Sequence, residues 1–152
     1  MTYPEFFVAP MRQELTRLGV RELKTAADVD AVLGRQPGQP GDQPGPTVMV
    51  VVNSVCGCAA GKARPGVALA LQHPNKPEIV TTVFAGADVE ATDRARSYFT
   101  GYPPSSPSIA LMRDGKLLWM LERRNIENQT AEMIADNLVA AFEKYCAPAV
   151  LK

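Results

Sequence analysis

Two cysteines separated by one glycine, Cys56-Gly57-Cys58, are the residues of this chain whose types and spacing point most directly to chemistry. They follow an apolar run at 47–53 and precede a segment that can form a helix. A thiolate forms most easily where a strand passes into a helix N-terminus, because unpaired backbone N–H groups and the helix dipole favour the anion there. A second thiol two residues later can attack a disulfide that the first one makes. The motif therefore predicts thiol–disulfide exchange.

The order of the two thiols predicts different roles for them. Cys56, the more N-terminal and exposed, is the predicted nucleophile with a lowered pKa, and Cys58 is the predicted resolving thiol. Two alternatives stay open, a pair of buried structural thiols and a metal-binding or redox-sensing module. The metal alternative is short of ligands, because only His73 and the distant Cys146 can add to the pair, and neither has the spacing of a zinc motif. We therefore expect no metal site within the chain.

Alternating strand and helix signals position this motif. Pro65 predicts a kink or break in the helix that follows the cysteines, Asp88 is a candidate helix cap, and Asp114-Gly115 is a strong hairpin signal. The predicted elements are, in order, helices at 4–18 and 25–34, a strand at 47–53, a helix at 57–72, a strand at 79–85, a helix at 88–101, strands at 108–113 and 116–121, and a helix at 130–145.

From residue 47 onward this order is β-α-β-α-β-β-α, with a right-handed crossover making the first two strands parallel and the tight turn making the last two antiparallel. It predicts an α/β, thioredoxin-like three-layer fold: a mixed four-stranded central sheet with flanking helices and a two-helix N-terminal extension. We predict a single domain over 1–152, with the helical extension at 1–34, a Pro/Gly-rich loop at 35–46 and the thioredoxin-like core at 47–146.

A proline-rich loop before the third core strand is predicted to face the cysteines. Pro107 lies directly before that strand, where thioredoxin-like proteins carry a cis-proline that turns its neighbours' backbone groups toward the cysteine. An ordinary trans proline is the alternative. We predict that Pro107, Ser106, Asn53 and Gly57 contact the substrate. For Asn53 and Ser54, hydrogen bonding to the thiolate and shaping of the turn remain equal alternatives.

Composition narrows the class of protein and its partners. The 152 residues include 16 basic and 16 acidic side chains, so no basic excess favours a nucleic acid or an anionic membrane as partner. The apolar content of 46% is typical of a globular protein. No apolar run is long enough to cross a membrane, and the first residues do not resemble a signal peptide. Three cysteines are too few for a disulfide scaffold. We therefore expect a cytoplasmic protein that uses its paired thiols for redox chemistry.

Taken together, these motifs resemble the bacilliredoxin family. The match extends over nearly the whole chain, and the motifs that carry it are Val52-Asn53-Ser54-Val55-Cys56-Gly57-Cys58-Ala59-Ala60-Gly61, Ala63-Arg64-Pro65, Val83-Phe84-Ala85-Gly86, Tyr98-Phe99-Thr100-Gly101-Tyr102-Pro103-Pro104-Ser105-Ser106-Pro107-Ser108 and Asp114-Gly115-Lys116. The Pro/Gly-rich stretch at 36–46 departs from the family as an insertion.

The resemblance implies a thioredoxin-like fold, a Cys-Gly-Cys redox site and removal of bacillithiol from protein mixed disulfides. In that chemistry Cys56 takes the small thiol as its own adduct, and a second bacillithiol or Cys58 clears it. The implied partners are S-bacillithiolated proteins and bacillithiol as a co-substrate, with no bound cofactor.

Alternatives to this function are a general protein disulfide reductase or isomerase and a non-catalytic thiol module. Lys62 and Arg64, in the helix after the motif, are expected to be solvated surface residues, with contact to an anionic small thiol as the alternative. Cys146 is expected to be a packing or surface thiol.

Overall fold

The structure is a computed structural model that describes residues 2–34 and 44–146, so that 35–43 of the predicted Pro/Gly-rich loop lie outside the described residues. The predicted elements are confirmed in type and order. The elements are α1 (Glu5–Thr16), β1 (Arg21–Glu22), α2 (Ala26–Leu33), β2 (Val48–Asn53), a π-helical turn (Ala59–Ala63), α3 (Arg64–Ala70), β3 (Ile79–Phe84), α4 (Val89–Ser97), β4 (Ser108–Arg113), β5 (Lys116–Leu121), α5 (Arg123–Glu127) and α6 (Ala131–Tyr145).

The central sheet has five strands in the order β1-β3-β2-β4-β5, not the predicted four. The mixed arrangement is confirmed, because β2 runs parallel to β3 and antiparallel to β4, and β4 and β5 form the hairpin. The additional strand β1 pairs in parallel with the edge of β3, Arg21 opposite Thr81 and Glu22 opposite Thr82. A strand of two charged residues shows no apolar alternation, so the sequence does not predict it. Its pairing with the edge of β3 identifies it in the structure.

The central strand β2 divides the core into two layers because successive side chains point to opposite faces of a sheet. Met49 and Val51 lie in the cluster that packs under α1, α3 and α6, whereas Val48, Val50 and Val52 lie in the cluster under α2 and α4. The predicted three-layer packing is therefore confirmed. The alternation also places Asn53, the last residue of β2, on the face that carries α1 and α3.

The helix predicted at 57–72 is divided by the π-helical turn. Pro65 lies in the first turn of α3 and has no N–H to donate to the preceding turn. The N–H of Arg64 instead bonds the carbonyl of Ala59, five residues back, which is the π-helical pattern. The predicted break at Pro65 is thus confirmed in position, and its form is a widened turn between the cysteines and α3.

The N-terminal segment is fastened to the core by the side chain of Arg12. This buried guanidinium bonds Glu5 at 3.1 Å, Glu22 of β1 at 2.9 Å and Asp88 at 2.6 Å. These bonds, and the one to Asp88 most of all, raise the pKa of Arg12 above its ordinary value. Asp88 precedes α4 as predicted, but its carboxylate bonds Arg12 and makes no side-chain cap. The predicted extension is therefore an integral part of the sheet and its helices.

Candidate active site

The two thiols lie where β2 ends and the polypeptide turns into a helix. Cys56 and Cys58 are both half-buried free thiols, and Gly57 between them is exposed. Cys58 packs against the core cluster beneath α3 and α6, whereas Cys56 lines an open pocket. The space around Gly57 is open, since a Cβ built there meets nothing within 4 Å. The pair therefore presents one thiol outward and the other inward.

Backbone groups surround the outward thiol. The N–H of Cys58 donates a hydrogen bond to Sγ of Cys56 at 3.4 Å. The N–H of Cys56 itself donates to Oγ of Ser54 at 3.3 Å, and the carbonyl of Cys56 accepts from Ala59 at 2.9 Å and Ala60 at 3.1 Å. The first of these bonds points a donor at the sulfur atom, so it stabilises a thiolate on Cys56.

The environment drives the pKa values of the two thiols apart. The pKa of Cys56 lies below its ordinary value, because the backbone N–H of Cys58 bonds the sulfur, the Cys58 side chain adds a bond, and Arg123 contributes positive charge. The pKa of Cys58 lies above its ordinary value, mainly through desolvation by burial and then through the neighbouring Cys56. The arrangement thus favours the thiolate on Cys56 and the protonated thiol on Cys58.

The turn before Cys56 is held from beneath by Arg64, whose role the sequence did not suggest. Arg64 is only 3% exposed, and its Nη1 donates to Oδ1 of Asn53 at 2.8 Å and to the carbonyl of Ser54 at 2.9 Å. Its Nε bonds Glu14 of α1 at 2.9 Å. The expectation of a solvated Arg64 is wrong, because residue 64 faces inward after the π-helical turn.

Asn53 belongs to the same buried network. Its side chain accepts from Ser54 N–H at 2.9 Å and from Arg64, and its Nδ2 donates to the carbonyl of Met11 at 3.3 Å. Of the two alternatives for Asn53, these bonds favour shaping of the turn. A direct contact with substrate is not supported by this geometry, since the residue is 1% exposed.

The proline-rich loop lies across the pocket from Cys56. The Ser106–Pro107 peptide bond is cis, as predicted. Ser106 lines the pocket together with Cys56, whereas the Pro107 side chain is buried. The carbonyl of Ser106 accepts from Nη1 of Arg123 at 3.3 Å, and the N–H of Arg123 donates to Oγ of Ser105 at 3.4 Å. Arg123, on the unpredicted helix α5, thereby links the loop to the thiol.

The pocket beside Cys56 is open and has a volume of about 370 Å³. The N-terminal segment supplies one wall, because Tyr3 N–H donates to the carbonyl of Gly86 at 2.9 Å and its ring lies against that glycine. Gly86 has a φ of +85° and no room for a Cβ beside the ring, so this approach requires glycine. Arg96 and Arg123 line the pocket as well.

Comparisons with known proteins agree with this geometry. A family model described as disulphide isomerase matches residues 3–146. The chain is 55% identical over 144 residues to a bacilliredoxin of Koribacter versatilis, covering 95% of this chain and 94% of that relative. It is 45% identical over 150 residues to a bacilliredoxin of Geobacillus kaustophilus, covering 96% and 98% of the two chains. The chain belongs to the bacilliredoxin family.

Solved structures similar to this member of the bacilliredoxin family are thioredoxins. One from Malassezia sympodialis has a TM-score of 0.54 at 14% identity, covering 84% of this chain and 91% of that one. Another from Fasciola hepatica has a TM-score of 0.51 at 19% identity, covering 83% and 99%. The predicted thioredoxin-like fold is confirmed, and the protein is a thiol–disulfide oxidoreductase.

Other polar residues singled out in this bacilliredoxin sequence lie away from the thiols or serve the scaffold. Lys62 donates to the carbonyl of Glu127 at 2.5 Å, His73 accepts from the N–H of Asn75 at 3.1 Å, and Cys146 has a pKa raised by burial. Within residues 2–34 and 44–146, no three side chains of His, Cys, Asp or Glu come together to hold a metal ion. None of the helices there is long and apolar enough to span a membrane.

Replacing Cys58 tests the origin of the lowered pKa of Cys56. Cys58 has a φ of −64°, a value that proline shares, and Cys58→Pro deletes the N–H that bonds Sγ. Cys58→Ala deletes only the side chain. We expect the pKa of Cys56 to be higher in Cys58→Pro than in Cys58→Ala, so that alkylation at neutral pH is severalfold slower in the proline variant.

The measurement is the rate of Cys56 alkylation against pH, with far-UV circular dichroism to confirm that both variants fold. Thiolate and rate both rise with pH, so a higher pKa moves the midpoint upward. Equal midpoints in the two variants would show that the backbone N–H does not set the pKa.

Proposed function

We propose that this protein removes bacillithiol from protein mixed disulfides. The observation that carries the proposal is the outward thiol of Cys56, lowered in pKa, open to a pocket and adjacent to the inward thiol of Cys58. The relatives named bacilliredoxin support the choice of bacillithiol as the group removed. The proposal includes a cytoplasmic location, because free thiols persist in a reducing compartment.

The first step is attack by the Cys56 thiolate on the bacillithiol sulfur of the mixed disulfide. The new S–S bond joins Cys56 to bacillithiol, the old one breaks, and the substrate protein leaves as its thiolate and takes up a proton. The lowered pKa of Cys56 raises the share of attacking thiolate above that of an ordinary cysteine at the same pH. The open pocket leaves room for the small thiol that remains on the enzyme.

The second step clears the adduct. Cys58 loses its proton and attacks Sγ of Cys56, which releases bacillithiol and joins the two cysteines; two further thiols must then reduce that bond. Alternatively a second bacillithiol attacks the adduct, forming the bacillithiol disulfide and regenerating Cys56. Both routes use thiols alone, so we propose no bound cofactor and bacillithiol as co-substrate.

A general disulfide reductase or isomerase is the second candidate, favoured by the description of the matching family model as disulphide isomerase. In that activity Cys56 attacks a disulfide between two protein thiols, and Cys58 releases the mixed disulfide. The two functions differ in whether the pocket receives a small thiol or a polypeptide.

The deciding experiment offers the protein one reporter carrying bacillithiol and the same reporter carrying glutathione. Mass spectrometry follows adducts in wild type and in Cys58→Ser, with Cys146→Ser as the matched control. We expect transfer of bacillithiol to Cys56 and accumulation of the adduct in Cys58→Ser. Absence of transfer from both reporters would refute the enzyme function, and equal transfer from both would favour the general reductase.

A further inference from the structure

The pocket beside Cys56 carries an unbalanced positive charge. Two of its lining residues, Arg96 and Arg123, are cationic, and no carboxylate is among the described residues that line it. Apart from Cys56, which is anionic as the thiolate and neutral once it carries an adduct, the other lining residues are neutral: Tyr3, Ser54, Val55, Ala85, Gly86 and Ser106. A concave site with one sign of charge attracts ligands of the opposite sign. The outward sulfur therefore opens into a space suited to an anion.

Arg96 is the half-buried cation of this pocket, and its hydrogen bonds are incomplete. Its Nη2 donates to the carbonyl of Ser105 at 3.3 Å, but its buried Nε has no hydrogen-bond partner. Within the described part of the chain, no carboxylate forms an ion pair with it, whereas Arg94, two residues earlier on α4, bonds Asp30 at 2.8 and 2.9 Å. An arginine stays charged, and the buried Nε–H of this half-buried guanidinium is a donor that a ligand can satisfy.

Arg123 is the exposed cation that lines the pocket. Its Nη1 bonds the carbonyl of Ser106 at 3.3 Å, and its Nε pairs with Glu127 at 3.2 Å, four residues along α5. An exposed pair of this kind is weak and does not hold the guanidinium away from a ligand. Arg123 also helps to lower the pKa of Cys56, so its positive charge acts on the sulfur atom as well as on the pocket.

We propose that Arg96 and Arg123 bind a carboxylate of the small thiol that Cys56 receives, so that the pocket selects anionic low-molecular-weight thiols. This inference rests on the proposed function, since the small thiol must remain on Cys56 after exchange. Guanidinium groups present planar sets of donors that match a carboxylate, and such charge-assisted bonds are the stronger ones. Neutral and cationic thiols lack this partner.

Reporters that differ only in the small thiol test the selection. One reporter protein is loaded with mercaptosuccinate, which carries carboxylates, with neutral 2-mercaptoethanol, or with cationic cysteamine. We expect wild type to prefer the mercaptosuccinate reporter. Arg96→Gln should lower the ratio of kcat/KM for that reporter to kcat/KM for the 2-mercaptoethanol reporter about tenfold, which corresponds to roughly 1.4 kcal/mol.

Arg94→Gln is the matched control, because Arg94 lies on the same helix and pairs outside the pocket. It should leave the preference intact. A second reporter, with an acidic residue beside the modified cysteine, identifies the source of the carboxylate. If the effect of Arg96→Gln on the exchange rate depends on whether the reporter has this acidic residue, and not on which small thiol the reporter carries, the proposal is wrong.

An NMR titration decides the site independently of exchange. Succinate, a dicarboxylate without sulfur, is added to the reduced protein while the Nε–H resonances of the arginine side chains are followed. We expect a saturable shift of the Arg96 signal in wild type and in Arg94→Gln. No shift would overturn the carboxylate site. Failure of exchange with every reporter would instead refute the proposed function, while the titration still decides whether the pocket binds a carboxylate.

Discussion

Replacing Cys56 with serine is expected to lower the rate of mixed-disulfide reduction at pH 7 by at least about a thousandfold. Serine keeps the size of the side chain but supplies no thiolate. Cys58 is a poor substitute, because burial raises its pKa and it lies against the core instead of the pocket. The measurement is the single-turnover rate of reporter release, followed by mass spectrometry.

Two matched variants accompany this measurement. Cys58→Ser should retain the first exchange step and accumulate the adduct on Cys56, and Cys146→Ser should behave as wild type because that thiol lies at the end of α6. Near-normal exchange in Cys56→Ser would assign the attack to Cys58 and reverse the predicted order of the two thiols.

Replacing Arg64 with alanine is expected to destabilise the protein by about 3 kcal/mol. The change removes bonds to Asn53, to the carbonyl of Ser54 and to Glu14, all made by a side chain that is 3% exposed. It leaves buried acceptors at the end of β2 without their donor. Urea denaturation measures the free energy of unfolding directly.

The expected consequence for chemistry is indirect, since Arg64 holds the turn that places Cys56. We expect Arg64→Ala to slow Cys56 alkylation even where the variant is folded. Lys62→Ala is the control, because the hydrogen bond of Lys62 to the carbonyl of Glu127 should contribute less than about 1 kcal/mol. A loss of stability in Arg64→Ala no larger than in Lys62→Ala would contradict the anchoring role.

Local patterns predicted most of the fold because they act over a few residues. The apolar run at 47–53 marked a strand buried on both faces, and Asp114-Gly115 marked the hairpin, where these two residues have φ values of 53° and 76°. The helix predicted at 130–145 is capped by Thr130, whose side chain accepts from the N–H of Met133. Each of these signals concerns neighbours in sequence, so a single chain suffices to read it.

Elements without a local signal were missed. The strand Arg21–Glu22 forms only because the edge of β3 offers backbone partners, and at the predicted break near Pro65 only the π-helical form was not foreseen. The short helix α5 is polar apart from the buried Ile126. Its position over the thiols, which brings Arg123 to the pocket, comes from the return of β5 beside β4.

Residue type and spacing were enough to predict that two thiols follow a buried strand and that a proline-rich loop precedes another strand. The charges that surround the sulfur atom became visible only in the folded chain. Arg64 beneath the turn and Arg96 and Arg123 in the pocket come from three different helices. The electrostatic environment of a side chain depends on distance in space, which the linear order of residues does not give.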